Sequence, residues 1–167
     1  MRAIFTLVAG FAGLAVLVPA TEAKPAICGA DVIQTTLIGA RRITQEDVDN
    51  GMKVDLVRCG DVTADGAADA VFTIASGGTA GDIRFGVIES GGVDGGGEVV
   101  LYKEAYQVGI ARHDGRSFDV VQPRFGRNDP NCCPSSFRET RYTWTGTRFK
   151  AGKAKTLKRA PRRFYTA

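Results

Sequence analysis

The chain has 167 residues, with 22 basic and 18 acidic side chains, a net charge of +4 and 44% hydrophobic residues. This length is sufficient for a single domain with a hydrophobic core of its own. The chain has one histidine and its four cysteines form no CxxC pair, which argues against a zinc site. Beyond the N-terminus, no stretch is long and apolar enough to span a bilayer.

The N-terminus has the anatomy of a secretory signal peptide. Arg2 is followed by an uncharged apolar stretch over residues 3–18 and by small residues up to Ala23. Such a stretch is shorter than the roughly 20 residues of a membrane span. We predict a signal peptide over 1–23, cleaved after Ala23 or, as second choice, after Ala20. The product would be secreted or held in the cell envelope, and we do not expect lipid attachment at Cys28, because the bulky Ile27 precedes it.

Two short helices are predicted near the start of the mature chain. Thr44 has the position of an N-cap followed by an acidic first turn, and Asn50-Gly51 is a stop signal. Residues 30–37 fit a second short helix or a strand equally well, since the segment contains two threonines and an isoleucine.

From Lys53 onward the pattern is typical of short strands joined by turns. The predicted strands are 54–58, 70–74, 83–88, 98–102, 106–110, 117–121 and 140–144. The connections are too short for crossover helices, so the strands should be antiparallel. Asp114-Gly115 and Thr145-Gly146-Thr147 indicate hairpins. We predict a mainly β fold of about seven or eight strands in one domain over 24–150, with α+β as second choice.

An aspartate-rich turn precedes the second predicted strand. Asp61, Asp65 and Asp69 surround Gly66 with a spacing similar to that of calcium-binding loops. The usual third ligand is replaced by Thr63, and the motif occurs once. Calcium binding is one hypothesis, and no other cofactor is expected. The alternative is that the aspartates cap a sharp turn through local hydrogen bonds.

The four cysteines, Cys28, Cys59, Cys132 and Cys133, are typical of an exported disulfide-bonded domain. Adjacent Cα atoms lie about 3.8 Å apart, less than the roughly 4.4 Å lower limit for ordinary disulfides. Pro134 also favours an extended backbone at Cys133. We therefore expect two long-range bonds that join Cys132 and Cys133 separately to the early cysteines. The alternatives are a vicinal redox pair and a metal site.

The C-terminal region is strongly basic, because no acidic residue follows Glu139. The candidate polyanion-binding residues are Lys153, Lys155, Lys158, Arg159, Arg162 and Arg163. They would attract an anionic cell-envelope polymer in a salt-dependent way. The alternative is a flexible, solvated tail over 151–167. Nucleic acid is not an expected partner in an exported protein, and the aromatic residues nearby match no RNA-binding pattern.

These motifs together resemble the LppP/LprE family of bacterial envelope lipoproteins and its secreted relatives. The resemblance rests on 59–66 (CGDVTADG), 76–82 (SGGTAGD) and 129–135 (DPNCCPS), the last followed by 141–144 (RYTW). It covers roughly residues 55–149. It implies an exported, disulfide-bearing domain of unassigned function and no known catalytic residues.

The sequence therefore favours a non-enzymatic binding or structural module at the cell surface, with no catalytic residue assigned. His113, next to Asp114 and Ser117, is expected at an exposed hairpin tip that lacks the surroundings of a catalytic base. One alternative is a secreted hydrolase with a dispersed site, whose candidate acids are Asp61, Asp65 and Asp82. Another is a thiol-redox factor that uses Cys132 and Cys133.

Overall fold

Two short helices open the part of the chain described by the computed structural model, which covers residues 26–91, 97–113 and 115–166. A 3₁₀ turn at Ala26–Cys28 precedes helix α1, Ala30–Gly39, and helix α2, Gln45–Asp49. The predicted signal peptide and Asp114 lie outside the described residues. None of the described helices is long and apolar enough to cross a membrane.

Local signals explain both helices. The Thr44 side chain accepts a hydrogen bond from the Asp47 backbone N–H (3.1 Å), and the Thr44 N–H donates to the Asp47 carboxylate (2.8 Å). This capping box confirms the predicted N-cap. The hydrogen bonds that the Asp47 carboxylate accepts from the Thr44 N–H and hydroxyl lower the pKa of Asp47. Residues 30–37 are helical, since Ile33 and Leu37 lie four residues apart and are both fully buried on one face.

The remaining described chain forms two antiparallel sheets, which confirms the mainly β prediction. The first sheet has the order β1 (Lys53–Gly60), β2 (Asp69–Ala75), β3 (Asp82–Ser90) and β4 (Gly97–Glu104). The second has β5 (Gly109–Arg112), β6 (Ser117–Arg124), β7 (Ser136–Trp144) and β8 (Phe149–Ala151), while β9 (Lys155–Leu157) also pairs with β7. The expected strand at 106–110 starts later, at Gly109, because Gln107 has a φ of +45° that ends the extended backbone.

The core has two main layers on opposite faces of the first sheet. The helices cover one face, where Ile33, Leu37 and Phe72 are fully buried. The second sheet covers the other face, where Phe85 of β3 contacts the Phe118 ring edge-on. Strand β2 is therefore buried on both faces, and residues 70–74 are apolar apart from Thr73.

The cysteine pairing differs from the sequence prediction. Cys28 is bonded to Cys59 beneath the helices, with Cα atoms 6.0 Å apart, and Cys132 is bonded to Cys133. The expected pair of long-range bonds is therefore wrong. The Cys133 N–H donates to the Pro130 carbonyl (2.9 Å), so the loop forms a tight turn where the prediction assumed an extended segment.

The C-terminal segment is ordered, so the prediction of a flexible tail from residue 151, and of a domain that ends at 150, is wrong for residues 151–166. Strand β9 pairs with β7 in the register Phe137 to Leu157. Phe164 then enters a small apolar cluster with Val121 and is fully buried. No sequence pattern marks this anchor, because Phe164 follows two arginines in a strongly basic stretch.

We predict that Phe164→Ala lowers the free energy of unfolding by about 3 kcal/mol, since it empties a buried aromatic site. Urea denaturation followed by fluorescence measures this change. Phe125→Ala is the matched control, because Phe125 is 37% exposed and its loss should cost less than about 1 kcal/mol. Equal costs for the two variants would mean that the C-terminal segment is not part of the core.

Candidate functional site

The aspartate turn between β1 and β2 is held together by its own carboxylates. Asp69 is fully buried, and its side chain accepts hydrogen bonds from the backbone N–H groups of Val62 (2.8 Å) and Thr63 (2.9 Å). Asp61 accepts from the Asp65 N–H (3.2 Å). These contacts confirm that the aspartates cap the turn, as Asx residues do.

The calcium hypothesis for this turn stays a prediction. Ligand oxygens of Asp61, Asp65 and Asp69 lie within 4.8 Å of one another. Carboxylate oxygens of all three residues already accept hydrogen bonds from backbone N–H groups of the turn, which explains their convergence without a metal ion. Glu89 lies close by, and burial together with the charges of Asp65 and Asp69 raises its pKa.

A different carboxyl group lies at the point where the two sheets and the cysteine loop meet. Asp82, at the start of β3, is only 8% exposed, and it faces a cavity of about 410 Å³ that we call the acid cleft. The cleft is lined by Asp55, Leu56, Gly81, Asp82, Gln107, Val108, Cys132, Pro134, Phe137 and Tyr165.

Two irregularities of the first sheet build this cleft. The register of β1 against β2 shifts between Val54 and Val57, and the register of β2 against β3 shifts next to Ala75. The first shift turns Leu56 into the layer between the sheets, although Val54 faces the helices. Bulges of this kind redirect side chains and are common beside functional sites.

Thr73 connects the bulge to the carboxyl group. Its hydroxyl accepts the Leu56 backbone N–H (3.0 Å) and donates to the Asp82 carboxylate (2.6 Å). Burial is the main cause that raises the pKa of Asp82 to about 6; the Thr73 hydrogen bond opposes this shift, and the nearby Asp55 adds to it. Asp82 can therefore carry or release a proton near neutral pH.

The structure does not bring together the three acids of the hydrolase alternative. Asp82 lines the acid cleft, whereas Asp65 lines a separate cavity of about 220 Å³ with Glu89 and Glu98. Asp61 belongs to the turn beside Asp65. The neighbour that Asp82 does have is Asp55, which the sequence analysis missed because only the bulge places it there.

The histidine is less exposed than predicted. His113 is half-buried and Ser117 is buried, with the Ser117 hydroxyl 3.3 Å from Nδ1 of His113. The prediction of an exposed tip is therefore wrong for both residues. Neither of them lines the acid cleft.

The predicted polyanion-binding residues are all exposed and lie on an ordered segment. Lys155 faces Glu139 across the β7–β9 pair, and Arg163 forms an ion pair with Glu139 (3.5 Å). Lys153 and Lys155 also line a small cavity with Asp119, which itself binds Arg141 (2.8 Å). The other three, Lys158, Arg159 and Arg162, form no ion pair within the described ranges.

Comparison of the chain with protein-family models, curated proteins and solved structures found no match. The function is therefore argued from the geometry of these sites.

We predict that Asp82→Asn makes the protein more stable at pH 8, by up to about 3 kcal/mol, because the folded state must ionise a buried carboxyl. The folded pKa, about 6, lies above the ordinary 3.8, so the native state keeps a proton that the unfolded chain loses. The contribution of Asp82 to stability therefore falls as pH rises from about 4 to about 6 and stays low above that range.

Urea denaturation at pH 4 and pH 8 measures the effect. The two proteins should be about equally stable at pH 4, and the exposed Asp49→Asn should not reproduce the gain at pH 8. A loss of stability at pH 8 in Asp82→Asn would contradict the assignment of a raised pKa.

Proposed function

We propose that this protein is a secreted or cell-surface binding module that holds an anionic polymer of the cell envelope. The observation that carries the proposal is the exposed basic segment at its C-terminus, which is attached to the second sheet. The resemblance to envelope lipoproteins and the buried Cys28–Cys59 bond support an exported location.

The charges of this segment divide into two groups. Lys153, Lys155 and Arg163 lie beside Asp119 or Glu139, which neutralise part of their charge. Lys158, Arg159 and Arg162 have no such acidic partner among the described residues. We therefore assign most of the attraction for a polyanion to these last three residues.

The attachment of the segment favours binding. Pairing of β9 and burial of Phe164 hold both ends of the stretch 158–163. The backbone of the basic residues is therefore ordered before a polymer binds, so less conformational entropy is lost on binding. Exposed charges interact mainly through long-range electrostatics, and salt should weaken the complex.

We predict that the triple variant Lys158→Gln, Arg159→Gln, Arg162→Gln elutes from an anionic matrix, such as polyphosphate-coated resin, at markedly lower salt than the wild type. The control carries the same number of neutralised charges in Arg41→Gln, Lys53→Gln, Lys103→Gln, all exposed and in the first sheet or the turn that follows α1. Equal elution of the two triple variants would reject the proposal, because net charge alone would then explain retention.

A thiol-redox factor is a second candidate, favoured by the bond between Cys132 and Cys133. Both cysteines are exposed, and Cys132 lines the acid cleft beside Asp82. An external dithiol would supply the two electrons and two protons that convert this disulfide to two thiols, and would itself become a disulfide. Access of the attacking thiolate is a main determinant of such exchange.

On that second account, we predict that limiting dithiothreitol reduces Cys132–Cys133 well before Cys28–Cys59, because Cys28 is fully buried. Alkylation followed by peptide mass spectrometry counts the thiols at each position. Simultaneous reduction of the two bonds would count against a redox role, and Cys132→Ser, Cys133→Ser serves as the blank for alkylation of the loop.

A further inference from the structure

A second cleft lies on the face of the second sheet that is opposite Lys155. Gln122, Arg138 and Thr156 are register partners across β6, β7 and β9 and share this face. With Arg124 and Tyr106 they line a cavity of about 460 Å³, which is within the size range of small-molecule sites. We call it the arginine cleft.

The charge in this cleft is not compensated. Neither Arg124 nor Arg138 forms an ion pair with a described carboxylate, and no acidic residue lines the cavity. On the opposite face, Arg141 is bound to Asp119 in a bidentate pair and Arg163 to Glu139. Two guanidinium groups without partners around one cavity suit a carboxylate or a phosphate, which each can bind through two parallel hydrogen bonds.

An aromatic surface flanks these cations. Tyr106 is 44% exposed and Phe125 is 37% exposed, and their rings contact edge-on at 6.1 Å between centroids. They are two of the three large hydrophobic residues exposed in the described chain. Exposed aromatic rings next to charged groups offer an apolar surface beside polar partners, which suits the C–H face of a polar ring.

We propose that the arginine cleft binds an acidic sugar unit, with its carboxylate or phosphate on Arg124 and Arg138 and its ring against Tyr106. Gln122 and Thr156 supply hydrogen-bonding groups for hydroxyls of the ring. Lys158, Arg159 and Arg162 do not line the cleft, so this inference does not depend on the polymer being held by these three residues.

Titration of the ¹⁵N-labelled full chain with glucuronic acid, followed by NMR, tests the proposal. We expect saturable shifts of the Gln122, Arg138 and Thr156 amides. Arg124→Gln and Arg138→Gln should each weaken binding about tenfold, since each removes a charge-assisted hydrogen bond. Arg127→Gln, an exposed arginine that does not line the cleft, should change binding less than twofold.

Comparison probes separate the two parts of the ligand. Glucose should bind at least tenfold more weakly if the arginines hold the acid, and inorganic phosphate should bind more weakly than glucuronic acid if Tyr106 holds the ring. Tyr106→Ala should therefore lower the affinity for glucuronic acid and leave that for phosphate unchanged. Absence of saturable shifts, or equal effects of Arg138→Gln and Arg127→Gln, would overturn the site. Phosphate binding as tight as that of glucuronic acid would overturn the sugar assignment.

The triple variant Lys158→Gln, Arg159→Gln, Arg162→Gln distinguishes this proposal from the proposed function. It should bind glucuronic acid as the wild type does, even where it no longer binds the anionic matrix. Loss of glucuronic acid binding in this variant would overturn the assignment to a separate cleft.

Discussion

Strand β9 pairs with β7 through only three residues, yet the arrangement of charge on the second sheet depends on this pairing. It brings Lys155 opposite Glu139 on one face and Thr156 beside Arg138 on the other. Antiparallel ladders alternate side chains between faces, so one register determines both neighbourhoods. A shift by a single residue would exchange the two sets of partners.

The two faces of this sheet consequently differ in chemistry. On one face, acidic residues of β6 and β7 meet basic residues of β7 and β9, and the charges are largely paired. On the other face, an apolar half packs on the first sheet and a polar half carries two arginines without acidic partners. Paired charges mainly stabilise a surface locally, whereas unpaired cations next to a cavity remain available for a ligand.

The first sheet has a different role, because it carries the acid cleft. Its two register shifts place Asp55 and Asp82 side by side, and Thr73 links the bulged backbone to the Asp82 carboxyl. A buried acid of this kind lowers stability near neutral pH. Asp82 lies where the two sheets and the cysteine loop meet. Functional sites often contain buried groups that lower the stability of the fold in this way.

Local patterns in the sequence predict most of the fold. Alternating and β-branched runs predict β1 to β7, although β5 begins later than predicted, and the Thr44 cap predicts the start of α2. Hairpin signals also predict the turn at Thr145. These features depend on residues that are close in the sequence, which is why a pattern can reveal them.

The features that the sequence analysis missed depend on tertiary context. A bulge brings Asp55 close to Asp82, and strand pairing brings Arg138 next to Thr156. Neither contact can be predicted from the spacing of these residues in the sequence. Phe164 is buried although basic residues precede it, because a single aromatic side chain is enough to anchor a segment. The disulfide pairing was missed because the loop that contains Cys133 is a turn.

The basic C-terminal segment is an ordered part of the second sheet. Native-state hydrogen exchange of the full chain measures it directly, residue by residue. We expect the β9 amides that bond to β7, and the amide of Phe164, to exchange only through large-scale opening, as the amides of β6 do. Exchange of residues 155–164 at the rate of an unstructured peptide, with β6 still protected, would show that the segment is not part of the sheet.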